Sequence, residues 1–291
     1  MELLVVVGVL AVLAAMLIPA LANTQPDSRL SQCLNNERQI VLGWRMYADD
    51  NNDVLAPNDY PFSTKLAWSP SSGKFVSWVA GTMANVFDAT DPNGSKVLVD
   101  ARGSRLAAYV TKDAAVYKCP GDELPSGSAG NFTSTKPFVR SYSMNSAVGT
   151  LWGNSTSFGG TFGPIGAPVK GGWLPGAAFN ANQTAYSTYG KMTSLSQPGP
   201  AGTFVIMDEN SLTINDCTMA VPAVRGANGY LIDYPASYHN GAANIAFADG
   251  HALVHKWQDR RTYTPVPGGA IQFSPNNLDT DYLAGITSAA R

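Results

Sequence analysis

Residues Leu3 to Ala22 read LLVVVGVLAVLAAMLIPALA, twenty positions without a charge, and Glu2 stands directly before them. As a helix rising about 1.5 Å per residue, such a run matches the roughly 30 Å hydrocarbon core of a bilayer. A cleavable secretion signal opens with Lys or Arg and closes on a small-residue cleavage site. Here the first basic residue is Arg29, and an acid leads the run. A plain anchor has no use for Glu2, because a carboxylate at the edge of hydrocarbon is costly unless paired. Pro19 removes the helical hydrogen bond to the Ala15 carbonyl. Together with Pro26 it brackets poor helix formers, so a non-helical break is expected from about Pro19 to Asp27.

Past the break, Asp27 or Ser28 offers an N-cap, and Leu30, Cys33, Leu34, Ile40, Val41, Trp44 and Tyr47 keep helical spacing to about Ala48. Asp49-Asp50-Asn51-Asn52-Asp53 ends that amphipathic helix. Alternate oxygen side chains at Asp49, Asn51 and Asp53 match the opening of a calcium loop but lack its glycine and distal glutamate. A helix-terminating polar turn is the stronger reading, and calcium is the one cofactor the pattern offers. Asp88 to Gly94 invites the same pair of readings.

Further on, Ser104 to Val110 reads as a short capped helix, and Ala114 to Cys119 as a strand closed by Pro120-Gly121. Residues 126–202 read as mostly loop, Thr203 to Asn210 as a buried strand, and Ala243 to Trp257 as a hairpin around Asp249-Gly250. The chain after Arg261 reads as a surface wrap. Only 14% of residues are charged, against 28 Gly and 19 Pro, which suits a loop-rich, β-containing extracellular domain. The net charge of −2 gives no basic face for nucleic acid.

Glu2-Leu3-Leu4-Val5-Val6, the small-and-aliphatic run behind it and Pro19 seventeen residues on resemble the N-terminus of type IV pilins and type II secretion pseudopilins. The chain departs from that pattern in having Met1 directly before Glu2, without the aromatic-Thr-Leu opening. His239, nine residues, then Asp249-Gly250 is similar to the signature of large pilin-like proteins with a prepilin-type processing-associated His-x9-Asp-Gly domain. QCLNN at Cys33, YADDNND, KCPGD at Cys119, RSYSMN from Arg140, MDEN and IND are similar to the same group.

The resemblance implies an α+β, pilin-like fold: a long N-terminal helical spine packed on an antiparallel β-sheet with long loop insertions. Residues 1–26 would be the polymerisation and membrane helix with its proline break, and 27–291 the head. Within the head, the helix would span 27–48, sheet and loops 49–262, and a surface tail 263–291. The implied function is a non-enzymatic structural subunit that polymerises into a type IV pilus-like or type II secretion filament. Its partners would be identical copies, the inner membrane before assembly, and the assembly machinery; its destination would be the cell surface. Glu2, Leu3, Leu4, Val5, Val6, Gly8, Ala11, Ala14, Ala15 and Pro19 would carry polymerisation, with the small residues on helix contact faces. The alternative is a membrane-anchored extracytoplasmic binding or hydrolytic protein whose apolar run is only a tether.

Three Cys in an exported chain suggest one disulfide and a spare thiol. The resemblance covers the stretches around Cys33 and Cys119, whereas Cys217 stands where similar sequences have Gly. It therefore implies a Cys33–Cys119 disulfide, the alternative being two buried core thiols. His239, Asp249, His251 and His255, with Asp208, Glu209 and Asp216 in reach, admit a metal centre. A two-residue turn, however, itself demands Asp249-Gly250, and hydrogen bonding in a loop accounts for His239, so the motif reads as a structural turn. No nucleophile-elbow sequence occurs.

Overall fold

The computed structural model describes residues 28–58, 77–79, 95–102, 104–122, 138–151, 164, 166–264, 266 and 271–291. The apolar run, its polymerisation residues Glu2 to Pro19, the expected break and the acidic stretch Asp88 to Gly94 lie outside the described residues. Among the described residues no helix is long and apolar enough to cross a membrane.

Helix α1 spans residues 28–50. Its inner face, Cys33, Glu37, Ile40, Val41, Trp44 and Ala48, is buried, while Arg38 and Arg45 face out. Asn52 and Asp53 end it by taking left-handed φ angles of 54° and 70°, which Asn and Asp tolerate better than most residues. The Asp53 amide closes on the Ala48 carbonyl at 2.9 Å, and Asn51 Nδ2 donates to the Tyr47 carbonyl at 2.7 Å. The Asp53 carboxylate accepts from the Thr193 hydroxyl and, at 3.2 Å, from its amide. The Asn51 amide nitrogen and the Asp53 carboxylate thus serve a helix stop that docks the loop at Thr193.

The strands are β1 (Tyr142–Asn145), β2 (Phe204–Asp208), β3 (Thr218–Met219), β4 (Tyr230–Leu231), β5 (Ala242–Phe247), β6 (Ala252–Lys256) and β7 (Gln272–Phe273). Five of them form one sheet in the order β3-β1-β2-β5-β6, and β4 pairs with β7. The expectation of a long helical spine on an antiparallel sheet is corrected on both counts. The described N-terminal helix is the one element at 28–50, and the sheet is mixed. β1 runs antiparallel to β2, with Tyr142 opposite Asp208, but parallel to β3, with Met144 opposite Thr218. The reason is topological: residues 209–217 return the chain from β2 to the far edge of β1, so β3 opposes β2 and parallels β1.

One face of the sheet carries Tyr142, Met144, Ile206 and Ala246 in a core shared with α1. The other carries Phe204, Met207, Ile245 and Phe247, packed with Trp257 and Leu283. With both faces covered, β1, β2 and β5 are buried at every position, and period-two alternation is lost. Edge strand β6 is half-exposed.

Three further local readings differ from the structure. The stretch 126–202, read as mostly loop, contains the fully buried strand β1, paired on both sides because β2 and β3 flank it. Ala114–Tyr117 is a 3-10 helix where a strand was expected. The Asp113 carboxylate accepts from the Ala115 amide at 2.9 Å, satisfying an end donor that would otherwise favour extension. The expected surface tail contains β7 and helix α2 (Leu278–Thr287), which buries Asp279, Thr280, Leu283, Ala284 and Thr287. That buried face is mostly polar, so it leaves no hydrophobic period to read. Asp279 is held instead by the amides of Gln258 and Asp259, each at about 3 Å.

Candidate functional site

Four side chains from four separate places in the chain meet between α1 and the sheet. Cys33 comes from α1, and Cys119 lies just past the 3-10 helix at Ala114–Tyr117. Asp208 is the last residue of β2, and His239 stands in the turn before β5. Their ligating atoms all lie within 4.8 Å of one another. Cys33 Sγ is 3.0 Å from Cys119 Sγ and 3.3 Å from Asp208 Oδ1, and Cys119 Sγ is 3.2 Å from His239 Nε2. His239 Nε2 lies 3.6 Å from Asp208 Oδ2. Both cysteines and Asp208 are buried, and the His239 side chain is only 5% exposed.

Local structure fixes each member. The Cys119 turn is closed by the Asp122 amide on the Cys119 carbonyl at 3.0 Å. It is tied to α1 by Asn36 Nδ2, which donates to the Lys118 carbonyl at 3.2 Å. Asp122 also pairs with Lys118 and accepts from the Ser141 hydroxyl. Gly121 lets this turn approach the imidazole: a Cβ there would stand 3.0 Å from His239 Cε1 and 3.2 Å from Tyr238 Cβ. Asp208 Oδ2 accepts from the Asn244 amide at 3.1 Å, and Tyr142 Oη stands 3.2 Å from Cys33 Sγ.

Burial dominates the electrostatics. It pushes the Cys33 thiol far up, with the Cys119 contact and the charges of Asp208 and Glu37 adding to the shift. The Cys33 hydrogen bond pulls Cys119 down, but burial and Asp208 outweigh it and the net shift is upward. Asp208 is pushed up to about 7 by burial, against the pull of the Asn244 amide and the Cys33 thiol. Burial lowers His239, leaving it a neutral imidazole at neutral pH. Glu37, one turn along α1 from Cys33 and fully buried, is raised well above the carboxylate range by burial and by the Asp208 and Cys119 charges. The Asp208 amide and Arg38 pull it the other way.

The structure thus brings Cys33 and Cys119 side by side with no bond between them, while Cys217 lies apart against the Ser77 hydroxyl. It separates the histidines. His251 stacks on Phe247 at 4.3 Å, and His255 stacks on Tyr282 at 3.9 Å. Asp249 accepts from the His251 amide and ring, Gly250 takes a φ of 99°, and Arg45 of α1 donates to the Asp249 carbonyl. The nine residues of the His-x9-Asp-Gly spacing therefore carry β5, with His239 at one end in the cluster and the turn at the other. Glu209 belongs to a second buried acidic set with Asp216, Asp233 and Arg140. Glu37 and Tyr142 went unnoticed in the sequence. A carboxylate on the apolar stripe of α1, four residues from Cys33, was the legible signal for the first.

No protein-family model, curated protein or solved structure matches this chain. The likeness to pilins rests on the residues quoted for it.

Proposed function

We propose that this chain is a non-enzymatic structural subunit that polymerises through residues 2–22 into a surface filament of the type IV pilus or type II secretion class. The observation that carries this reading is the uncharged run Leu3 to Ala22 headed by Glu2. Before assembly the run holds the subunit in the inner membrane; in the filament, copies of it pack against one another through Gly8, Ala11, Ala14 and Ala15. One feature of the head supports the reading. The outer face of α1 carries Leu42 and Met46, 58% and 45% exposed and one turn apart. Such apolar residues on the face turned away from the sheet suit contact with neighbouring subunits.

Glu2 has a specific part in this reading. In an apolar bundle its carboxylate needs a cation, and the terminal amine of a neighbouring subunit supplies one. Glu2→Ala is expected to reduce surface filaments by about tenfold or more, since loss of a buried pair costs several kcal/mol. Counting filaments by electron microscopy at equal subunit expression checks it. Undiminished filaments with normal subunit spacing would remove Glu2 from assembly.

A further inference from the structure

We propose that Cys33, Cys119, Asp208 and His239 form a closed, four-ligand site for a divalent cation of the zinc type, which fastens α1 to the sheet. The donor set is the first ground. Two thiol sulfurs, one imidazole nitrogen and one carboxylate oxygen suit zinc, whereas calcium and magnesium take oxygen donors. The geometry is the second. Zinc bonds of about 2.3 Å to sulfur and about 2.0–2.1 Å to nitrogen or oxygen set tetrahedron edges of roughly 3.3–3.8 Å. The Cys119–His239, Cys33–Asp208 and His239–Asp208 separations of 3.2, 3.3 and 3.6 Å fall within a few tenths of their edges. The two sulfurs, 3.0 Å apart, would open by roughly 0.8 Å to reach theirs.

The third ground is what a disulfide would leave behind. A Cys33–Cys119 bond removes both S–H donors, so His239 Nε2 and Asp208 Oδ1 would lose the sulfur partners they now face. Asp208 would stay buried with Glu37 close by and the Asn244 amide as its hydrogen-bond donor. Buried charges of this kind are paired or hold a metal. A cation uses all four groups together. The surroundings fit as a supporting shell: Tyr142 Oη reaches Cys33 Sγ, and the Gly121 amide donates to the Cys119 sulfur. Binding exchanges two S–H protons, released to water, for two metal–sulfur bonds, and no oxidant takes part. With four protein ligands and almost no exposure, the site is structural.

The test is metal analysis of the full-length protein purified in detergent without chelator, with alkylation mapping of its cysteines. One zinc per chain is expected, with Cys33 and Cys119 recovered as thiols that become alkylated only after chelation. His239→Ala is expected to bring zinc to near background, while His255→Ala keeps one per chain. If His239→Ala does not fold, cobalt loaded into the chelated wild-type protein reads the same ligands through thiolate-to-cobalt charge-transfer absorption. A Cys33–Cys119 cross-linked peptide, metal-free protein with both thiols open, or full zinc in His239→Ala would each overturn the site.

Discussion

Trp44→Ala is expected to destabilise the head by about 3–5 kcal/mol, the range for deleting a fully buried large aromatic side chain. A domain of ordinary stability holds about 5–15 kcal/mol, so this one change removes a large part of it. Trp44 has no exposed surface and belongs to the core that α1 shares with the sheet. Its indole N–H is buried without a hydrogen-bond partner among the described residues, so the ring contributes through volume and contact rather than through a polar bond. Trp44→Phe is therefore expected to lose only about 1–2 kcal/mol, because the smaller ring leaves a cavity but also removes an unpaired donor. Urea unfolding of the two variants checks this: equal losses would show that the indole nitrogen, not the packing, matters.

Arg140 is the second position of large effect. It is fully buried, donates to the carbonyl of Tyr142, to Ser143 Oγ at 3.2 Å and to the Asp216 carbonyl at 2.5 Å, and lies over the Trp78 ring. Its charge faces Glu209 and Asp216, and Asp233 adds a further buried carboxyl to the same set. Removing one partner of such a group strands the others, so Arg140→Ala and the volume-matched Arg140→Met are each expected to cost about 3–5 kcal/mol. A neutral Arg140→Met would show that the guanidinium fills space and no more.

The pH dependence of that loss follows from the acids. Burial, then the Asp216 charge, raises Asp233 well above the carboxylate range, and burial followed by the Asp233 charge does the same for Glu209. A carboxyl with a raised folded value binds its proton more tightly in the folded state. It opposes folding as pH climbs from the ordinary carboxylate range through its folded value, and that cost disappears on acidification. The Arg140→Met deficit is thus expected to be largest at neutral and alkaline pH and to shrink toward pH 5. A deficit that grows on acidification would mean that the acids are not what Arg140 serves.

Where one residue's neighbours in sequence decide its structure, the chain was readable. The stripe from Leu30 to Tyr47 placed α1 within two residues of its observed end, and Asp249-Gly250 placed the turn between β5 and β6. Where a long-range pairing decides, it was not. β3 lies parallel to β1 because a loop carries it past an occupied edge, and nothing within Thr218–Met219 signals that. α2 hides for another reason: its inner face is largely Asp and Thr, buried by hydrogen bonding rather than by apolar area. The cluster fell between these cases. Cys33, Cys119, Asp208 and His239 each stood out locally, but proximity in sequence grouped His239 with His251 and His255. The β5–β6 hairpin sends those two rings to Phe247 and Tyr282 instead.

Electron cryo-microscopy of material sheared from cells expressing the tagged protein tests directly whether the chain assembles into filaments. A filament subunit gives helical filaments whose core is built from residues 2–22, with the heads on the outside and Glu2 within reach of a neighbouring terminal amine. Recovery of the tagged chain only as separate subunits in the membrane fraction, with sheared material free of it, would rule out the filament role.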